Sequence, residues 1–181
     1  MHVNPLPLRF VPVAGGKVRL DDNININCNF DPAGSWKLDE VVTWPAPLPQ
    51  FLLDHEQGHY DICALICRDL FIRLMQAKPR QFDSGPAGWA DLEFWVRTYR
   101  EREQRIQRAY DSETNHSAAG TYRSDSGVVT PPSRKGPPQA RWEALIAQAF
   151  NTPRPNGGAS PDGIPYKMEL TDVLVQAGIS I

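Results

Sequence analysis

Apolar and polar side chains alternate with a period of two through much of residues 1–46, a pattern typical of β-strands with one buried face. The alternation is clear at residues 24–30 and returns at residues 36–44 after a turn-forming stretch. We expect these two segments to form an antiparallel hairpin. A further strand is predicted between Val11 and Leu20, where the pair Gly15-Gly16 interrupts it.

The period of the apolar positions then changes to three and four residues, which is typical of amphipathic helices. One helix is predicted from Phe51 to Gln76 and a second from Trp89 to Thr114, with a Pro- and Gly-containing loop between them. Two long helices joined by one modest loop are expected to pack antiparallel. The inward stripe of the second helix includes Glu103 and Glu113, and these carboxylates need partners because an unpaired buried charge is unfavourable.

The remainder of the chain is mostly irregular in its pattern. A Gly-, Ser- and Pro-rich segment follows the second helix, and a short amphipathic helix is predicted from Gln139 to Phe150. We assign residues 1–150 to one domain and residues 151–181 to a Pro/Gly-rich C-terminal tail. Within that tail, residues 170–177 are predicted either as one more short helix or as a flexible end.

Composition narrows the class of protein. The chain has 181 residues, 41% of them hydrophobic, so one domain with a buried core is expected and a wholly disordered chain is excluded. A net charge of −2 gives no reason to expect nucleic acid as a partner. No apolar run is long enough to span a membrane, and no signal peptide is visible in the chain. Cys63 and Cys67 are predicted to be buried hydrophobes, with a metal pair as the alternative.

The most specific chemical signal is His55-Glu56-Gln57-Gly58-His59, an H-E-x-x-H motif inside the first predicted helix. Histidines four residues apart on a helix point the same way and can hold one Zn²⁺ per chain. Glu56 would then lie beside the metal and act as the general base toward water. Gly58 costs about 1 kcal/mol relative to Ala in a helix interior, so we expect another backbone or a substrate to approach it closely.

A catalytic zinc site needs a third protein ligand, and two residues near the end of the second helix are candidates. If the helices are antiparallel, this end returns to the level of His55. Glu113 and His116 lie three residues apart there, and either could bind the metal. Position favours both over Glu103, which lies about three turns further back. We assign His116 as the third ligand and keep Glu113 as the alternative.

The stretch "HEQGHYDI", followed by "YDSETNH" and "QARWEALI", resembles the bacterial domain-of-unknown-function family number 922, from Trp36 to Phe150. One departure is Ser117, where that family commonly has Gly. The resemblance implies a zinc-dependent protease that acts on a peptide or protein substrate, and it implies a bacterial, often secreted or periplasmic protein. The motif positions of the family fall on His55, Glu56, His59, Tyr110, Asp111, Thr114 and His116.

Three further side chains have two interpretations each. Tyr110 on the inward stripe either donates to the oxyanion of a tetrahedral intermediate or packs as an ordinary aromatic residue. Asp61 and Asp111 either accept a hydrogen bond from the outer nitrogen of a metal-binding histidine or are solvated surface carboxylates.

We therefore expect an α+β fold in which a small antiparallel sheet precedes two long antiparallel helices that carry a zincin-like metal site. The expected function is hydrolysis of peptide bonds by a zinc metallopeptidase with Glu56 as the base. The alternative is a non-catalytic zinc-binding interaction module, in which a fourth protein ligand closes the site. Cys63, four residues after His59, is the candidate for that closure.

Overall fold

The computed structural model describes residues 2–5, 7–29, 46, 48–114, 137–160 and 163–181. The fold is α+β, which confirms the predicted class. No helix of the described part of the chain is long and apolar enough to cross a membrane. In chain order the elements are β1 (His2–Pro5), β2 (Phe10–Pro12), β3 (Val18–Leu20), β4 (Ile26–Asn29), α1 (Leu48–Ala77), β5 (Gln81–Phe82), α2 (Gly85–Thr114), α3 (Pro137–Asn151) and α4 (Leu170–Gln176).

The strands form a three-stranded antiparallel sheet in the order β2-β3-β5 and a separate antiparallel pair of β1 with β4. The single strand predicted between Val11 and Leu20 is wrong, because the chain reverses there and Phe10 pairs with Leu20. Gly15 and Gly16 make the reversal at φ values of 77° and 72°, which side chains rarely adopt. The predicted hairpin partner of β4 at residues 36–44 lies outside the described residues.

Helix α2 begins four residues earlier than the sequence pattern predicts. Ser84 caps it, because its hydroxyl oxygen accepts a hydrogen bond from the backbone N–H of Ala87 at 3.3 Å. Pro86 is tolerated in this first turn, because N–H groups there have no acceptor within the helix and proline therefore loses no hydrogen bond. Gly88 allows the ring of Phe10 to reach the helix backbone, since a Cβ atom at position 88 would lie 2.9 Å from the Cζ atom of Phe10.

The two long helices pack antiparallel, as predicted. His55 near the start of α1 stacks on Tyr110 near the end of α2, while Arg73 near the end of α1 lies over the ring of Trp95. The inward stripe of α2 ends on Thr114, which is buried, whereas Glu113 is exposed. The expectation that Glu113 lies on the inward stripe is therefore wrong. The other predicted carboxylate, Glu103, is buried with only 3% of its surface exposed.

Helix α3 buries Trp142, Ile146 and Ala149 as expected, and it also buries Gln139. The C-terminal segment contains a helix, α4, whose apolar side chains join the same core cluster. A buried carboxylate helps to hold α4, because Asp69 on α1 accepts a hydrogen bond from the backbone N–H of Leu170 at 3.0 Å.

All three cysteines of the chain lie close together between β4 and α1. Cys63 and Cys67 are buried and Cys28 is half-buried. The thiol of Cys63 hydrogen-bonds with both of the other thiols. The bond with Cys67 and burial raise the pKa of Cys63 above the usual range for a cysteine, and they outweigh the bond with Cys28, which lowers it. The buried location of Cys63 and Cys67 agrees with the prediction that they are core residues.

Candidate metal centre

Three side chains from α1 and α2 bring one metal-ligating atom each to a common point. The Nε2 atoms of His55 and His59 lie 3.1 Å apart. The Oδ1 atom of Asp111 lies 3.3 Å from Nε2 of His55 and 2.9 Å from Nε2 of His59. In the part of the chain that the structure describes, these are the residues whose ligand atoms all lie within 4.8 Å of one another.

These separations suit a small divalent cation. Zinc binds imidazole nitrogen and carboxylate oxygen at about 2.0–2.2 Å with tetrahedral geometry, so neighbouring ligand atoms in such a site are about 3.3–3.6 Å apart. The observed edge of 3.3 Å is at the short end of that range, and those of 3.1 and 2.9 Å are slightly shorter. Two imidazole nitrogens and one carboxylate oxygen this close together form a group that could hold a metal ion.

The local fold explains why the two imidazoles converge. A spacing of four residues places His55 and His59 on one face of α1. The ring of Tyr110 then stacks on His55, with 4.7 Å between ring centroids and an interplanar angle of 10°, and meets His59 edge-on. Gly58 makes room for this ring, because a Cβ atom at position 58 would lie 2.7 Å from the Cζ atom of Tyr110. The expected close approach to Gly58 comes from a side chain, not from a backbone or a substrate.

The outer nitrogen of His59 faces α2. Its Nδ1 atom makes a short contact with Oε1 of Gln107. The amide nitrogen of Gln107 donates to the backbone carbonyl of His59 at 3.0 Å and to Oε1 of Glu103 at 3.2 Å. The second of these bonds gives the buried carboxylate of Glu103 a hydrogen-bond partner.

The outer nitrogen of His55 faces both α3 and the end of α2. Its Nδ1 atom lies 3.4 Å from Oε1 of Gln139 and 3.3 Å from Oγ1 of Thr114. Thr114 donates its own hydroxyl proton to the backbone carbonyl of Tyr110 at 2.7 Å. Contacts of this kind on the nitrogen opposite the metal are typical of metal-binding histidines.

Burial differs among the three candidate ligands. The side chain of His55 is 1% exposed, that of His59 is 18% exposed and that of Asp111 is 35% exposed. The side of the centre nearer to solvent is therefore that of His59 and Asp111, although the Oδ1 atom of Asp111 is itself buried. Burial lowers the pKa of His59, but its hydrogen bonds with Asp111 and Gln107 and the nearby negative charges outweigh this effect, so the pKa is raised overall.

Other predicted site residues lie near the centre in different ways. Glu56 is exposed on α1 beside His55, and its negative charge contributes to the raised pKa of His59. Tyr110 is fully buried, and its hydroxyl group donates to the backbone carbonyl of His55 at 3.1 Å. That location agrees with the packing interpretation of Tyr110. Asp61 accepts a hydrogen bond from Gln57 at 2.8 Å on the exposed side of α1, away from the imidazoles.

Of the two predicted third ligands, Glu113 and His116, the structure describes only Glu113. Glu113 faces α3, where its carboxylate accepts hydrogen bonds from Nε1 of Trp142 at 3.0 Å and from Arg141 at 3.4 Å. The structure thus does not bring Glu113 to the two histidines. His116 lies outside the described residues. Asp111 has two interpretations from the sequence, an acceptor at the outer nitrogen of a histidine or a solvated carboxylate. In the structure its Oδ1 atom faces the Nε2 atoms instead.

Two glutamines at the centre were missed by the sequence reasoning. Gln139 occupies a buried position on the apolar stripe of α3, three residues before Trp142, and a polar residue there is a recognisable signal. Gln107 follows Glu103 by four residues, so it lies above that carboxylate on the same helix face. Neither signal indicates which histidine the glutamine contacts.

Comparison of the chain with models of known families, with curated proteins and with solved structures finds no match.

Proposed function

We propose that this protein is a zinc-dependent hydrolase that cleaves peptide bonds, with His55, His59 and Asp111 as metal ligands and Glu56 as general base. The observation that carries the proposal is the convergence of two Nε2 atoms and one carboxylate oxygen, at 2.9–3.3 Å from one another, beside the glutamate of an H-E-x-x-H motif. Two imidazoles and one carboxylate form a ligand set that is used by catalytic zinc sites.

The choice of zinc rests on the donor atoms. Imidazole nitrogens suit zinc, copper, iron and nickel, whereas magnesium and calcium prefer sites made of oxygen atoms. The edges of the ligand triangle are at or slightly below the short end of the range for tetrahedral zinc, so a small ion suits the group better than a large one. The quoted resemblance to the domain-of-unknown-function family number 922 supports the same metal, and it rests on the motifs alone.

The roles of the side chains follow from their positions. When bound, zinc lowers the pKa of a coordinated water molecule and polarises the carbonyl group of the substrate. Glu56 is exposed, so its carboxylate is available to accept a proton from water and to pass it to the leaving amine. His59 and Asp111 are the more exposed of the three ligands, so a peptide would approach the centre from their side.

The alternative function is a non-catalytic zinc-binding module, which requires a fourth protein ligand. Cys63 is a weak candidate, because its thiol hydrogen-bonds with Cys28 and Cys67. His116 is the stronger candidate. If both Asp111 and His116 bound the metal, four protein ligands would close the site and favour this alternative.

The experiment combines metal analysis with a peptidase assay on the purified chain. We expect elemental mass spectrometry to find about one zinc ion per chain, and we expect His55→Ala or His59→Ala to remove most of it. Incubation with a mixed peptide library, followed by mass spectrometry of the products, tests cleavage in the zinc-loaded protein. Absence of zinc after titration would overturn the metal assignment. Full zinc loading without cleavage would favour the non-catalytic module.

A further inference from the structure

All three cysteines of the chain meet at one place in the core, where β4 packs against α1. Cys28 is half-buried on the core-facing side of β4, whereas Cys63 is completely buried and Cys67 is 7% exposed. The thiol of Cys63 hydrogen-bonds with Cys28 across the two elements and with Cys67 one turn further along α1. The proposed metal centre uses none of these thiols, and apolar packing alone does not require a thiol at each of three contacting positions.

Of the two thiol contacts, the one within α1 does not suit a covalent bond. Residues four apart on a helix hold their Cβ atoms about 5–6 Å apart, whereas a disulfide requires about 3.5–4.5 Å. The backbone of α1 holds Cys63 and Cys67 at that helical spacing. The contact between Cys28 and Cys63 joins two different elements, so no helical spacing separates its Cβ atoms. Because Cys28 is only half-buried, the core does not enclose its side chain on all sides.

We propose that Cys28 and Cys63 are a disulfide-forming pair and that Cys67 stays a thiol. The oxidant is a low-molecular-weight disulfide such as glutathione disulfide. Cys28, the more exposed of the two, loses its proton to solvent and attacks one sulfur of the oxidant, which releases one glutathione thiolate. Cys63 then loses its proton and attacks the Sγ atom of Cys28, and the second glutathione thiolate leaves. Two electrons pass to the oxidant, and the two thiolates that leave take up two protons in place of those that the protein lost.

The cross-link would join β4 to the helix that carries the proposed histidine ligands, one turn beyond His59. It closes a loop over residues 29–62, and a closed loop lowers the conformational entropy of the unfolded chain. We therefore expect the oxidised protein to be more stable than the reduced one. The bond also engages the sulfur that a closed, non-catalytic zinc site would need as a thiolate ligand. The pairing thus favours an open centre, although it does not rest on the proposed metal function.

The test refolds the reduced, full-length chain without metal in a buffer of oxidised and reduced glutathione. The oxidant is supplied during refolding because Cys63 is completely buried in the folded protein. Alkylation then marks the remaining thiols, and mass spectrometry of the non-reduced protein and its tryptic peptides locates the bond. We expect one disulfide and one alkylated cysteine per chain. Cys63 and Cys67 share the tryptic peptide between Lys37 and Arg68, so fragmentation of this peptide must place the alkyl group on Cys67.

Three variants separate the pair from its neighbour. Cys67→Ala is the matched control and should form the same bond, whereas Cys28→Ala and Cys63→Ala should form no bond within the chain. Oxidation should raise the melting temperature of the native chain and of Cys67→Ala by about 5–15 °C. The melting temperature of Cys28→Ala should not change on oxidation, because that variant has lost one partner.

Three alkylated cysteines in the refolded native chain, a bond that involves Cys67, or bonds between chains only would overturn the proposal. If Cys67→Ala fails to fold by circular dichroism, the peptide map of the native chain decides alone. Because the test contains no metal, a Cys28–Cys63 bond in a chain that binds no zinc would uphold the pairing and refute the metal function. A chain that binds zinc and keeps three thiols after refolding would do the reverse.

Discussion

The hydroxyl group of Tyr110 occupies the space that a side chain at Gly58 would fill. A Cβ atom at position 58 would lie 2.7 Å from Cζ of this tyrosine, which is closer than real Cβ atoms approach their neighbours. The glycine in the motif is therefore a packing requirement of the α1–α2 interface. It allows one aromatic ring to stack on His55 and to meet the edge of His59.

Gly58→Ala should destabilise the protein, although Gly→Ala in a helix interior ordinarily stabilises by about 1 kcal/mol. Overpacking against Tyr110 should outweigh this gain, with a net loss on the order of 1–3 kcal/mol in the free energy of unfolding. Urea denaturation of the metal-free protein measures the change. Gly85→Ala is the matched control, because its Cβ atom would meet only Phe10, at 3.8 Å. A more stable Gly58→Ala variant would contradict the packing role.

Asp111→Ala should weaken zinc binding more than Glu113→Ala does. Asp111 presents its carboxylate to both Nε2 atoms, whereas Glu113 hydrogen-bonds with Trp142 and Arg141. We expect a loss of more than about 100-fold for Asp111→Ala, since a direct ligand contributes more than an outer contact. Chelator competition at one pH measures the affinity, and Asp61→Ala is the control aspartate on α1. Equal affinities of the Asp111→Ala and native proteins would exclude Asp111 as a ligand.

His116 stays the predicted third ligand from the sequence, and the same assay tests it. His116→Ala should weaken zinc binding if the motif resemblance holds. Zinc loss in His116→Ala but not in Asp111→Ala would assign the third position to His116. Loss in both variants would indicate four protein ligands, and the closed site would favour the non-catalytic module.

Glu56→Gln should retain zinc while peptidase activity falls by a factor on the order of 10² or more, which is the usual contribution of a general base. Glutamine has the same size as glutamate and cannot accept the proton from water. Because Glu56 is exposed, the substitution should leave the free energy of unfolding nearly unchanged. Loss of zinc in this variant would mean that Glu56 binds the metal, and undiminished cleavage would remove it from the mechanism.

Asp69 should make stability depend on pH between about 4 and 6. Burial raises the pKa of its carboxyl group to about 6, although the charge and hydrogen bonds of Arg68 and the N–H of Leu170 act in the opposite direction. An acid with a raised folded-state pKa contributes stability that is fully present below its unfolded-state pKa and is lost as the pH rises through the folded-state pKa.

The measurement compares the native protein with Asp69→Asn by urea denaturation from pH 4 to pH 7. The difference in the free energy of unfolding between the native protein and the variant should decrease as the pH rises, by on the order of 1–3 kcal/mol. Because the other carboxyl groups titrate in both proteins, their contribution to the free energy of unfolding drops out of this difference. A difference that stays constant or increases with pH would contradict the raised pKa of Asp69.

The sequence by itself determined the elements that depend on local periodicity. The three- and four-residue spacing of apolar positions predicted both long helices and their antiparallel packing, because a helix turns through the same angle at every residue. The spacing of His55 and His59 placed both imidazoles on one face for the same reason. The predicted buried stripe on α2 is correct as far as Tyr110. It is wrong at its last position, because Thr114 is buried and Glu113 is not.

Only the tertiary structure decided which residues complete the centre. Relative to Tyr110, Asp111 lies about 100° to one side of the helix and Glu113 about 60° to the other side. The periodicity of α2 therefore places the two carboxylates on opposite flanks of the buried stripe and does not tell which flank faces the histidines. The packing of Tyr110 against Gly58 fixes the rotation of α2 and turns Asp111 toward the imidazoles. Gln107 and Gln139 lie 48 and 84 residues along the chain from the histidines that they contact. Contacts of that range follow from how α2 and α3 pack on α1, and no local pattern encodes them.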